Sequence, residues 1–178
     1  MNSMYRQGRM KTDSVNEERG AIMKTLILYA TKHGATREIA QRIADRMDDA
    51  AIHDLGQSNI PDFIGFDCIV VGSSIYAGMI RKEAKVFLSQ NADTLGNKEF
   101  GLFLSGMDAT RGKDFFDSNI PQSILQNAKV TSFLGGIYDP QKAGLIERFI
   151  MKAAAKQSKY TDTIDVGKIE EFIEALQA

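Results

Sequence analysis

Lys24-Thr-Leu-Ile-Leu-Tyr-Ala30, followed at once by Thr31-Lys32-His33-Gly34-Ala35-Thr36, is the stretch on which the reading of this chain turns. The first seven residues are an apolar run of strand length. The next six lead into a helical pattern reaching about residue 48, with Ile39, Ile43 and Met47 four apart on one face. Strand, hydroxyl-bearing turn and helix N-terminus thus follow one another directly. Such a helix start presents unpaired backbone N–H groups and the positive end of its dipole, which suits a phosphate. No Gly-Lys-Ser/Thr follows, so the turn is not a Walker loop, and the Gly-x-Gly-x-x-Gly glycines of a dinucleotide fingerprint are absent. What remains is Thr-x-x-Gly-x-Thr, in which Thr31, Lys32, His33, Gly34, Ala35 and Thr36 are candidate phosphate contacts. The competing reading is a capping turn in which the threonines serve only the helix.

Further along, strand-like and helix-like segments alternate. A second strand is expected at 51–55, a third at 68–73, a fourth at 98–105 and a fifth at 129–136. Helices are expected at 81–90, at 114–127 with an interruption at Pro121, at 143–156 and at 167–177. The run Cys68-Ile-Val-Val71 is apolar throughout, as in a strand covered on both faces. This alternation predicts a parallel sheet with helices on both sides, built from right-handed crossovers. Ligands in such sheets sit beyond the carboxyl ends of the strands, where the strand order reverses.

Two more loops leave strand ends with suggestive composition. Ser73, Ser74, Ile75, Tyr76, Ala77 and Gly78, ending at Met79, combine small residues that admit a planar ring with an aromatic and a thioether that can cover it. Ser105, Gly106, Met107 and Asp108, continuing to Arg111, offer hydrogen-bonding groups to the polar edge of such a ring. Ordinary packing for Tyr76 and a solvated loop charge for Asp108 are the competing readings. No Ser-His-Asp triad, metal-ligand spacing or paired carboxylates stand out, so a cofactor would carry the chemistry.

Bulk properties narrow the classes. The 178 residues carry a net charge of -1, with 43% hydrophobic and 25% charged residues, the balance of a globular domain without a nucleic-acid footprint. The single cysteine, Cys68, reads as a buried core thiol. No apolar run approaches a membrane span, and a cytoplasmic location is the default expectation. Residues 1–22 are polar and aperiodic and read as a disordered tail, with the domain occupying 23–178 and Met23 a candidate start. Lys142, Arg148, Lys152, Lys156 and Lys159 face one acid, Glu147, in residues 142–159. That pattern reads as a solvated basic helix face or as a peripheral contact with a membrane surface.

The three loops together resemble the FMN-binding loops of the flavodoxin superfamily. The stretch from Met23 to Ala40, the run Val71-Gly-Ser-Ser-Ile75 with Gly78, and Arg148–Lys152 with Tyr160–Asp165 are similar to the bacterial menaquinone-dependent protoporphyrinogen oxidase family of flavodoxin-domain proteins. The resemblance implies a flavodoxin-like three-layer α/β sandwich with a five-stranded parallel sheet in the order 2-1-3-4-5, and FMN as cofactor. It also implies an oxidoreductase of heme biosynthesis that takes electrons from a porphyrinogen and passes them to a quinone. Three departures stand out: Ala77 occupies the place before Gly78 where the family commonly has tyrosine, the stretch between the fourth and fifth strands is short beside the family's, where an added segment is tied to handling the oxidised substrate, and the chain has no tryptophan. Two alternatives stay open: an electron-transfer flavodoxin that serves a redox protein partner and has no substrate of its own, and a flavin-free interaction domain. A phosphoacceptor domain is excluded, because residues 24–34 hold no Asp or Glu.

Overall fold

The computed structural model describes residues 22–145, 148 and 159–178. The expected tail, save Ile22, lies outside these residues. So does the helix expected at 143–156, beyond its first residues and Arg148, and with it Lys152 and Lys156 of the basic group at 142–159.

The run that opens the domain forms β1 (Lys24–Ala30), whose residues from Thr25 onward are all buried. It pairs in parallel on both sides, with β2 (Asp49–Asp54) and with β3 (Cys68–Tyr76). Beyond β3 lie β5 (Glu99–Ser105) and β6 (Val130–Phe133), also parallel, giving the order β2-β1-β3-β5-β6. Counting only these five long strands, this is the expected 2-1-3-4-5. A sixth strand was not foreseen: β4 (Met79–Ile80) folds back antiparallel on the end of β3.

Helices cover both faces. On one, α1 (Ala35–Ala44) and α6 (Val166–Gln177) bury Ile39, Ile43, Phe172 and Leu176 against Ile27, Val70 and Phe103. On the other, α2 (Lys82–Gln90), α4 (Gly112–Asn119) and α5 (Gln122–Asn127) bury Phe87, Leu88, Phe115, Phe116 and Ile124 against Leu26, Val71 and Leu102. A short α3 (Ala92–Leu95) seats Leu95 in the same cluster. Each large apolar side chain removed from water stabilises the fold by about 1.5–3 kcal/mol before entropy is counted. Gly72 of β3 stands in register with Phe103 of β5, and a Cβ there would lie 2.1 Å from the Phe103 ring. The missing side chain lets Phe103 lie across its neighbour and meet Phe172 edge to face at 6.2 Å.

Several element ends differ from expectation. The first helix stops at Ala44, though Met47 stays buried in the turn beyond. Pro121 does split the following helical region, leaving α4 and α5 on either side. The fifth strand ends at Phe133, because the next residues turn to meet the C-terminal segment. There, β7 (Ile137–Tyr138) pairs with β8 (Thr161–Asp162), and Leu134 O accepts the Asp165 N–H at 3.1 Å.

Cys68 is fully buried at the start of β3. Burial, with a further push from the nearby Glu99 carboxylate, raises its thiol pKa from 9.0 to about 11. The folded state therefore holds this proton more tightly than the unfolded chain does, and the associated stability is lost as pH rises from about 9 through 11. In urea titrations, the stability advantage of the parent protein over Cys68→Ala should shrink by about 2 kcal/mol across that range. A constant difference would contradict this.

Candidate functional site

The carboxyl ends of β1, β3 and β5 bring the three loops together. In the first loop, Gly34 takes φ 99°, a left-handed conformation that glycine adopts without strain, and its N–H donates to Thr31 Oγ1 at 3.0 Å. Gly34 precedes α1, and no side chain among the described residues caps that helix. The first intrahelical bond runs from Glu38 N–H to Gly34 O, so the N–H groups of Ala35, Thr36 and Arg37 have no intrahelical acceptor. They form the positive end of a ten-residue helix. Thr31 thus shapes the turn and keeps its own hydroxyl hydrogen available to another acceptor.

Thr36 reaches in a different direction. It is fully buried, and its hydroxyl pairs with that of Ser105 at 2.8 Å, tying the first loop to the end of β5. Ser74 stands opposite Ser105 in the β3–β5 register, and its Oγ is buried with no hydrogen-bond partner among the described residues. Three hydroxyls therefore gather on the α1 side of the sheet edge, one of them unsatisfied. Ser73 faces the other way: its Oγ accepts the Arg81 N–H at 2.9 Å and serves the start of α2.

The second segment is not the loop expected at 73–79. β3 continues to Tyr76, and Ala77-Gly78, with φ of 51° and 80°, make a two-residue turn into β4. Positive φ at both turn residues matches the twist of a tight hairpin. The sequence reading ended the strand at the serines because hydroxyl and glycine residues usually mark loops, whereas here pairing with β4 and β5 extends it. Tyr76 and Met79 flank the turn, 38% and 52% exposed. Lys32 Nζ sits 3.2 Å from the Tyr76 ring centroid, a cation–π contact that joins hairpin and first loop.

In the third loop, Gly106 N–H donates to Gly135 O at 3.0 Å, bracing the loop on the segment after β6. A Cβ on Gly106 would stand 3.5 Å from that of Ile75, so this loop abuts the hairpin. Met107 is half-buried, and the exposed Asp108 accepts the Thr110 hydroxyl at 2.6 Å. His33 is half-buried in the first loop.

Reading the sequence missed Asn119. Its buried amide holds the hairpin from α4, 39 and 41 positions away. A lone asparagine at the end of a short helix carries no local signal of this. A separate recess of about 790 Å³, bordered by Phe66, Asp67, Asn97 and Glu99, opens at the opposite, amino-terminal end of β3 and β5. Among the described residues, no cluster of three or more His, Cys, Asp or Glu is arranged to hold a metal ion, and no helix is long and apolar enough to cross a membrane.

A doubly wound α/β protein with three loops meeting where strand order reverses is the class this geometry defines. Residues 26–165 match the flavodoxin domain family, and the chain belongs to that family. It is 32% identical over 79 residues to protoporphyrinogen IX dehydrogenase [quinone] of Escherichia coli K12, a match spanning 42% of this chain and 44% of that protein. Among solved structures, it is similar to a short-chain flavodoxin associated with a non-canonical PDU bacterial microcompartment (19% identity, TM-score 0.53, covering 87% of this chain and 97% of the other). It is also similar to rubredoxin oxygen:oxidoreductase from Desulfovibrio gigas (11% identity, TM-score 0.54, covering 86% and 34%). These likenesses are of fold.

The Thr36–Ser105 pair is the buried link between two of the loops. Thr36→Val keeps the shape and leaves the Ser105 hydroxyl without its partner. Urea denaturation should show a loss of about 1–3 kcal/mol; an unchanged midpoint would mean the link contributes nothing.

Proposed function

We propose that this chain binds FMN at the carboxyl edge of its sheet and works as an oxidoreductase. The observation that carries the reading is a convergence within one crevice. An uncapped helix start, an unsatisfied buried Ser74 hydroxyl and a hairpin presenting Tyr76 and Met79 lie on adjacent strand ends. This donor set fits a ligand with an anion at one end and an apolar plane at the other. In this assignment Thr31–Thr36 hold the phosphate through backbone N–H groups and the free side of the Thr31 hydroxyl, with Lys32 adding positive charge. Ser73–Gly78 supply the bed for the ring, and Ser105–Asp108 meet its polar edge. Family membership supports the same cofactor.

FMN, when bound, supplies transfer of one or two electrons between a substrate and an acceptor. The chain's residues anchor the phosphate, fix the ring's orientation through the hairpin and screen one side of it from water. A porphyrinogen as donor and a quinone as acceptor are the finer assignment. The partial likeness to the Escherichia coli dehydrogenase supports it, as do the motif resemblances at both ends of the domain. The near-neutral charge favours an enzyme with its own small substrate over a shuttle steered electrostatically to protein partners.

The purified protein should show a flavin absorption spectrum, or acquire one on incubation with FMN, and release FMN on denaturation. A protein that stays colourless in excess FMN would sink the reading. Thr31→Ala should weaken FMN binding by about 1–3 kcal/mol in a fluorescence titration while riboflavin affinity changes little. Turnover of protoporphyrinogen with a menaquinone analogue is expected of the loaded protein; a flavin-replete protein without it would leave the electron-shuttle reading in place.

A further inference from the structure

Resting on the flavin reading above, we infer that Asn119 is a positioning residue that fixes the ring side of the site. It ends α4 and is 6% exposed. Its Oδ1 accepts the Ile80 N–H at 3.1 Å, and its Nδ2 donates to Gly78 O and to Phe115 O, both at 2.9 Å. The opposite amide orientation would set oxygen against two carbonyls and nitrogen against an N–H, so these partners settle it.

The hairpin needs such a hold. β4 is two residues long, and a pairing of that length is marginal by itself. The turn also carries a non-glycine residue, Ala77, at φ 51°. One planar amide supplies a donor and an acceptor to two backbone groups of the turn, as a further paired strand would. Its consequence for a ligand is specific: the Gly78 carbonyl is committed to Asn119 and cannot turn outward. What the hairpin offers to a planar ring is therefore the Tyr76 and Met79 side chains and the remaining backbone groups of the turn. The helix that carries Asn119 also starts directly after the third loop, at Gly112. The clamp thus ties two of the three walls of the site together through one rigid element.

The test uses the full-length protein with Asn119→Asp, which keeps the acceptor for Ile80 and loses the donor to Gly78, and with Asn119→Ala, which buries no carboxylate. Dissociation constants for riboflavin and FMN are measured beside the visible band shape of the bound flavin and the urea midpoint. The expected result in both variants is an equal loss for the two flavins of about tenfold, with a shifted band, because the clamp acts on the ring and not on the phosphate. Unchanged affinities and an unchanged band overturn the inference. So does a loss confined to FMN, or a loss that only follows the urea midpoint with no change in the band. A parent protein that binds neither flavin removes the flavin reading itself, which separates that failure from this one.

Discussion

β1 is hydrogen-bonded in parallel on both sides, and the rest of the molecule depends on that double pairing. A parallel strand can be reached only by a crossover, and crossovers are right-handed. The chain leaves β1 through α1 to reach β2 on one side, then crosses back to β3 on the other. α1 and α2 consequently pack on opposite faces, and the turns that leave β1 and β3 diverge at the carboxyl edge. A crevice is left there by topology, before any side chain is chosen for binding.

The side chains then refine the crevice by closing its seams. Thr36 with Ser105 joins the first loop to the third, Lys32 over Tyr76 joins the first to the hairpin, and Asn119 joins the hairpin to the helix after the third loop. These contacts differ in weight. The hydroxyl pair and the amide clamp are buried, where a lost partner costs the desolvation of the group left behind. The lysine–tyrosine contact lies at the rim and contributes about 0.5–1 kcal/mol. The buried links therefore set the shape of the site, and the rim contact adjusts it.

What the sequence determined by itself was the frame. Apolar runs fixed which segments enter the sheet, since residues 26–30 of β1 and 68–71 of β3 are buried and read as unbroken hydrophobic stretches. The glycine and hydroxyls after β1 identified the turn at the first helix, because their chemistry is local: Gly34 permits the turn and Thr31 bonds to it. The order of the loops along the chain was enough to place the crevice. Tertiary structure decided where each hydroxyl points and where the ring side of the site ends. Thr36 looks like a phosphate contact in sequence and turns inward to Ser105, 69 positions away. Ser73 and Ser74 are adjacent in sequence and serve opposite faces of the sheet. The 73–79 segment is a strand and tight turn because β4, β5 and Asn119 pair with it from outside. Each of these outcomes depends on a partner distant along the chain, and periodicity and turn chemistry read only the neighbours of a residue.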